Sequence, residues 1–398
     1  MDFGRERIYD NSTLQKKRSN LPVVVVAGQV PPPVGGQNVM VAKIFDEISS
    51  NDDFRVFHLP FYFTPTFESV RRFRFSKVWE LFLVCWRFLK IRLACGRVDF
   101  LLYPAGGPQT VPMIRDLLLL PVLLSGSVRV VVQFHAAGIE ERLCGSESLF
   151  GKLFKCVHRR VTAAVVMTEF NRRDPEALGV ERVFTIPHRL VDENPERRLP
   201  DHSGGSEKLT VLYAGHLYDQ KGTPELIEAF ARVAAGKPGL RCVLMGEFLP
   251  PYSWSACETR CQELGIADRV EWVGVQSGAE KNRIFSDSGV FVFPSVAPYE
   301  SFGLVMVEAM MWGLPIVATD WRGNRDVAGP VAEYCETGSR MVESLAAAIE
   351  CLVSSPAKLM ESSLASRERF EMSFCENAGA KPYVDLVREI LQIDNGKR

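Results

Sequence analysis

Two successive α/β units, each a parallel sheet wrapped in helices, are what this sequence predicts, and three observations predict them. The chain has 398 residues, more than one hydrophobic core usually serves, so two units of about 200 residues are expected. Short apolar runs rich in Val, Ile and Phe alternate with longer stretches of helical periodicity, the order of strands joined by crossover helices. Charge is also divided: residues 1–200 carry 28 Lys and Arg against 21 Asp and Glu, residues 201–398 carry 19 against 27, and the opposite excesses of +7 and −8 hide in a total of −1. The basic half either meets an anionic surface or simply carries solvated charge.

Composition narrows the class. Ten Cys are present, with no C-x-x-C pair and no His/Cys cluster of metal-ligand spacing. Reduced thiols in a cytoplasmic protein are the simplest account. Lys16-Lys17-Arg18 ahead of Leu21–Ala27 imitates a secretory leader, but the apolar run is short and no small-residue cleavage site follows. No run reaches the ~18 apolar residues of a spanning helix, so the Asn11-Ser12-Thr13 sequon is expected to be idle.

Residues 1–20 read as a polar tail and 21–192 as a first domain. Val23–Ala27 is its first strand, followed by a loop in which Gly35 and Gly36 precede an apolar-periodic helix over Val39–Ile48. Bare backbone there can approach a ligand at the helix N-terminus, although a paired glycine is also an ordinary turn. The spacing is neither G-x-G-x-x-G nor a P-loop, which argues against NAD or ATP. Further strands are expected over Phe100–Tyr103, Val128–Phe134, Val161–Met167 and Val183–Ile186. The strand ending at Phe134 delivers His135-Ala136-Ala137-Gly138 at its C-terminal end, where open α/β sheets place ligands.

Residues 68–97 stand apart. Eight basic residues, Arg71, Arg72, Arg74, Lys77, Arg87, Lys90, Arg92 and Arg97, face two acids, Glu68 and Glu80, with six aromatics between them. Cations and aromatics on one helix suit an anionic membrane surface. Trp79, Phe82, Leu83, Trp86 and Leu89 fall at helical spacing and could all face inward, which leaves only the basic flank for lipid. Nucleic-acid binding has no motif behind it and is not expected.

Residues 193–208 have the charge, Pro, Ser and Gly of a linker, 209–380 form a second domain, and 381–398 a last amphipathic helix. Leu209–Ala214 is a strand leading into Gly215-His216-Leu217-Tyr218-Asp219-Gln220-Lys221-Gly222 and a helix. Arg241–Gly246, Val270–Gly274, Val290–Phe293 and Ile316–Thr319 are further strands. Between the last two, Glu300 sits in a loop and Glu308 in a buried helix, with Phe302, Gly303 and Leu304 at the helix start and Gly313 and Pro315 at its end. The unpaired N–H groups at such a helix start make an anion site. Carboxylates repel phosphate, so the two glutamates are free to accept from hydroxyls or meet developing positive charge. A ligand with both a diphosphate and sugar hydroxyls fits.

The E-x7-E pattern within PS…YESFGLVMVEAMMWGLPIVATD resembles the nucleotide-sugar site of glycosyltransferase family 4, the group 1 retaining enzymes of GT-B architecture, and the resemblance extends from Val23 to Ile393. It implies two Rossmann-like domains facing a cleft, with the last helix returning toward the first. It places Glu308 on the donor ribose, Gly303, Leu304 and Phe302 with Lys221 at the diphosphate, Gly35 and Gly36 beside the phosphates, and Glu300 and His135 at the donor sugar as catalytic residues. Lys221-Gly222 is similar to the family's GR…KG segment, but His216 stands where the family has Arg, which removes a permanent charge and a bidentate fork. His188 and Arg189 stand where the family has Asn and Gly, and no role is carried onto them.

The implied activity is metal-independent transfer of a hexosyl unit from a nucleoside-diphosphate sugar, with retention, to a hydroxyl of a lipid-linked or cell-envelope glycan precursor. No cofactor or metal is expected, and the enzyme would be cytoplasmic, peripheral on the inner face of the plasma membrane. The same architecture serves nucleotide-sugar epimerases and phosphorylases, and a non-catalytic nucleotide- or membrane-binding protein is the other alternative.

Overall fold

The computed structural model describes residues 20–31, 36–62, 75–144, 148–200, 209–376 and 380–392. Gly35, Arg71, Arg72 and Arg74 lie outside them, as do most of the loop after the first strand and residues 201–208 of the expected linker.

Unit 1 runs β1 (Val23–Gly28), α1 (Gly36–Ser49), β2 (Arg55–Pro60), α2 (Phe75–Cys95), β3 (Phe100–Pro104), α3 (Thr110–Leu123), β4 (Arg129–Gln133), α4 (Ile139–Leu143), α5 (Leu149–His158), β5 (Ala163–Val166), α6 (Arg173–Ala177) and β6 (Val183–Thr185). Its strands are all parallel in the order β2-β1-β3-β4-β5-β6. Val24 is flanked by Val56 on one side and Phe100 on the other. The inner strands β1, β3 and β5 are buried along their whole length, as a sheet covered on both faces requires.

Unit 2 runs β7 (Thr210–Ala214), α7 (Thr223–Ala234), β8 (Arg241–Met245), α8 (Trp254–Glu263), β9 (Val270–Gly274), α9 (Gly278–Ser286), β10 (Val290–Phe293), α10 (Leu304–Met311), β11 (Ile316–Thr319), α11 (Asn324–Ala328), β12 (Ala332–Cys335), α12 (Met341–Val353) and α13 (Pro356–Arg369). Its parallel sheet has the order β12-β11-β10-β7-β8-β9. In each unit the order reverses beside the first strand, between β1 and β3 and between β7 and β10. Such a switch point opens a crevice at the carboxyl ends of the strands.

Ile186 ends the first part of unit 1 and Pro187 opens unit 2. Residues 187–192, placed by sequence in the first domain, belong to the second because their contacts lie there. Leu190 forms a parallel bridge with Cys375, Asp192 takes Arg367, whose guanidinium is buried, and Asn194 Nδ2 donates to Met311 O at 3.2 Å. The last helix, α14 (Pro382–Leu391), rejoins unit 1. Its N-terminal amides at Tyr383 and Val384 donate to Glu47 of α1, Gln133 Nε2 donates to the Tyr383 hydroxyl at 2.6 Å, and Arg388 pairs with Asp53.

One helix is turned differently from its expectation. Trp79, Phe82, Trp86 and Leu89 of α2 point to solvent, and the inward face is Glu80, Val84 and Phe88, with Leu81, Cys85 and Ile91 beside them. The helix has apolar residues on two faces, so periodicity alone allowed either register. The observed register buries Val84 and Phe88 in the core and gives Glu80 its partners, its carboxylate accepting from Tyr62 N and pairing with Arg87.

Candidate active site

β7 and β10 lie side by side at the switch point of unit 2, and the loops leaving them are joined. Val296 N donates to Gln220 O at 2.9 Å. Gly222 adopts φ +72°, and a Cβ on it would come within 2.1 Å of Pro294 O. Only glycine fits this junction: the backbone is left-handed and a carbonyl occupies the side-chain position. The Lys221 ammonium, carried by the turn just before Gly222, reaches 2.5 Å from Glu300 Oε2. Glu300 Oε2 also accepts from Ser295 Oγ at 2.8 Å. Ser295 is buried, and its carbonyl accepts from Thr319 Oγ1 of β11, while Trp321 Nε1 donates to Ala297 O at 3.0 Å. The loop between β10 and α10 is thus fastened from both neighbouring strands, which fixes Glu300.

Just beyond, Gly303 takes the left-handed conformation (φ +64°, ψ 55°) and caps α10 with no side-chain hydrogen bond to its first turn. That left-handed backbone favours glycine, so the helix start presents bare backbone. Leu304 is the first helical residue. The apolar body of α10 is buried, and Glu308 is its polar exception. Lys281 Nζ of α9 lies 2.9 Å from Glu308 Oε1. Sequence reading missed Lys281, because its partner lies 27 positions away and no local pattern marks the pair.

Phe302 is 4% exposed, with its ring edge-on to His188 at 5.2 Å and to Phe374 at 5.8 Å. Its side chain packs between these rings, and its backbone immediately precedes Gly303. His216 lies in the turn after β7, and its carbonyl accepts from the Tyr213 hydroxyl at 2.6 Å. Desolvation first, and the nearby Lys221 charge second, hold its imidazole below the ordinary pKa. Protonation of His216 would have restored the charge of the missing Arg, and these surroundings oppose it.

Other expected residues fall on unit 1. Gly36 is the first residue of α1. His135 follows β4, and desolvation pushes its pKa down to about 4, so it is a neutral imidazole near pH 7. Its loop is shaped by Asp174, a buried carboxylate that accepts from Gly138 N at 3.0 Å and Glu140 N at 2.7 Å. The sequence gives no sign of this clamp either. The structure thus joins Lys221 to Glu300 and sets both on the unit that carries Gly303, Leu304 and Glu308, while His135 and Gly36 belong to the other unit. Among the described residues, no group of three or more His, Cys, Asp and Glu side chains could hold a metal ion, and no helix is long and apolar enough to cross a membrane.

A family model described as glycosyl transferases group 1 matches residues 197–369, the segment that holds this arrangement. A D-inositol 3-phosphate glycosyltransferase of Segniliparus rotundus is 29% identical over 55% of this chain and 49% of its own. The gpi3 subunit of phosphatidylinositol N-acetylglucosaminyltransferase from Schizosaccharomyces pombe is 32% identical over 48% of this chain and 44% of its own. A phosphatidyl-myo-inositol mannosyltransferase of Mycobacterium tuberculosis is 27% identical over 48% of each. The chain therefore spans about half the length of these curated relatives. In structure it resembles sucrose-phosphate synthase of Thermosynechococcus elongatus, with a TM-score of 0.71 at 18% identity over 94% of this chain and 100% of that one. Anabaena Alr3699/HepE, solved in complex with UDP, gives 0.66 at 14% identity over 94% and 100%. These likenesses establish the two-sheet GT-B fold.

Proposed function

We propose that this chain is a group 1 retaining glycosyltransferase that moves a hexosyl unit from a nucleoside-diphosphate sugar to a hydroxyl acceptor. The observation that carries the reading is the meeting of Lys221 and Glu300 at the β7/β10 switch point, one turn ahead of the bare N-terminus of α10. A cation and a row of backbone N–H groups suit a diphosphate, and carboxylates on either side of them suit hydroxyls and a cationic centre.

Glu308 would accept from the ribose hydroxyls. A carboxylate has two oxygens, and the Lys281 contact at Oε1 orients the group while leaving the other oxygen for the ribose. The Gly303 and Leu304 amides and Lys221 would take the diphosphate. Since Lys221 is paired with Glu300 before donor arrives, the diphosphate competes for the ammonium. Its transfer leaves Glu300 on Ser295, facing the sugar with its charge exposed. Developing negative charge on the departing diphosphate is met by Lys221 and the helix end without a metal ion. The glycosyl C1–O bond breaks, the acceptor oxygen attacks the same face, and a phosphate oxygen of the leaving group takes the acceptor's proton. Glu300 then stabilises the oxocarbenium-like state rather than forming a covalent bond. His135, neutral, serves as a hydrogen-bonding group and not as a cation.

The acceptor in this reading is a lipid-linked or cell-envelope glycan precursor, taken by unit 1. Support comes from the relatives, two of which carry phosphatidylinositol in their names, and from the basic, aromatic stretch 68–97, proposed to contact an anionic membrane surface at the inner face of the plasma membrane. A second reading, nucleotide binding without turnover, is favoured by one observation: the position of the expected Arg holds a His kept neutral. Incubation with a panel of nucleotide sugars and lipid-extract acceptors separates the two. Glycosylated product with release of nucleoside diphosphate supports the transferase, and tight binding with neither product nor hydrolysis supports the second reading.

A further inference from the structure

The helices α2, α3 and α5 form one layer on one face of the unit 1 sheet. Each links a strand to a parallel strand farther along the sheet in the same direction, β2 to β3, β3 to β4 and β4 to β5, so right-handed crossovers put all three on the same side. α2 packs on α3 and α3 on α5, while α1, whose crossover runs the other way, packs with α14. Near the end of α2, Arg92 Nη1 donates to Ser125 O at 2.9 Å and to its hydroxyl at 2.8 Å, just past the end of α3. The two helices therefore run in the same direction.

The outer face of this layer is apolar where a surface should be polar. Trp79, Phe82, Trp86, Leu89 and Leu93 recur every three or four residues along α2, and all are exposed, from 45% at Leu89 to 73% at Leu93. Ile114, Leu118 and Val122 continue the face on α3, and Leu149 and Leu153 on α5. Exposed large apolar side chains that stand singly need no explanation, but a contiguous set rimmed by charge marks a contact surface.

Within the three helices the exposed charge is cationic. The acids of the three helices are Glu80 and Asp116, and both are buried and paired with arginines, Arg87 and Arg115. Lys90, Lys152, Arg129, Arg159 and Arg160 are exposed on the helices or at their ends. The Lys90 ammonium lies 5.3 Å from the Trp86 ring centre, its stem along the aromatic surface and its charge at the margin.

We propose that the outer face of α2, α3 and α5 docks flat on an anionic membrane, with the α2 aromatics and the α3 and α5 aliphatics entering the headgroup boundary and the rim cations on lipid phosphates. The inference deepens the membrane contact proposed above for residues 68–97, and it differs by turning the aromatics outward and by adding two helices from later in the chain. Charge selects the occupant. A second copy seated on this face would set Lys and Arg against Lys and Arg, whereas an anionic leaflet neutralises them. The breadth of the face, three parallel helices rather than one seam, suits a plane.

The test uses the full chain with vesicles of phosphatidylcholine mixed with phosphatidylglycerol, of phosphatidylcholine alone, and of the mixture with brominated chains. Sedimentation with the mixed vesicles is expected, with little on phosphatidylcholine alone. The doubly substituted Leu118→Ser/Leu153→Ser chain should partition about tenfold less. Brominated chains should quench the intrinsic fluorescence, and Trp79→Phe/Trp86→Phe should remove most of that quenching while still sedimenting. Equal partition of the Leu118→Ser/Leu153→Ser chain, or no quenching, overturns the proposal. So does a concentration-dependent dimer, without vesicle binding, that the same Leu substitutions disperse. The assay contains no sugar nucleotide, and nucleotide-sugar binding by the serine variants, read by thermal shift, shows separately whether the donor reading stands.

Discussion

Lys221 and Glu300, 79 positions apart in sequence, meet at 2.5 Å because β7 and β10 are neighbours at the point where the sheet order reverses. The pair is mostly shielded from solvent, and Ser295 supplies the second donor to the same carboxylate oxygen. Removing one member of such a pair leaves the other charge desolvated. The pair thus reads as a positioned cation waiting for an anion that competes with Glu300.

Lys221→Ala is therefore expected to reduce the preference for nucleoside diphosphate over nucleoside by about ten- to a hundredfold, the worth of one charge-assisted contact. Competition titration with the two ligands measures it. An unchanged ratio would place the diphosphate elsewhere.

The glutamate on α10 has a separate test. Glu308→Ala should weaken donor binding by about a hundredfold with an unaltered melting curve, and Lys281→Gln by less, about tenfold, since in the proposed site it orients Glu308 rather than touching ribose. Isothermal titration of both variants would show the order, and equal effects would make Lys281 a direct ligand.

Gly222→Ala forces a left-handed alanine against the Pro294 carbonyl. Together these should cost about 2–4 kcal/mol of stability and lower the melting temperature by several degrees. A thermal melt within a degree of the parent would mean that the β7 and β10 loops can separate cheaply.

His135 predicts a pH dependence. Its folded-state pKa, about 4, lies below the ordinary value of 6.5, so the unfolded chain binds more protons in between. The associated stability is present above pH about 6.5 and is lost as pH falls toward 4. His135→Asn should flatten that part of the slope by on the order of 2 kcal/mol, while His58, His158 and His216, also held low chiefly by desolvation, keep the remainder. Denaturant midpoints measured across this range give the slope directly.

The parts of this arrangement that were legible in the sequence are those written in local pattern. Val290–Phe293, Gly303 and the apolar run after it announce strand, turn and helix, and the alternation of such segments announces two parallel sheets. Edge strands were harder: Arg55–Pro60 and Ala332–Cys335 are only partly buried and mixed in composition, so neither shows a run of apolar residues. The face of α2 was illegible because Val84 and Phe88 make as good an apolar stripe as Trp79, Phe82 and Trp86, and only packing chooses. Lys281 and Asp174 were invisible for a different reason, since their partners are brought to them by the fold and not by spacing. His216 was visible as a departure, but its neutrality depends on desolvation and on Lys221.

In the proposed function the β7/β10 crevice of unit 2 and the start of α10 bind a nucleoside-diphosphate sugar. A thermal-shift panel of nucleotide sugars on the parent chain and on Glu308→Ala tests it most directly, since a ligand that binds only the folded state raises its stability by mass action. At least one nucleotide sugar should raise the parent's melting temperature clearly more than that of Glu308→Ala at the same concentration. A panel without any shift, or one in which both chains shift alike, would contradict the assignment.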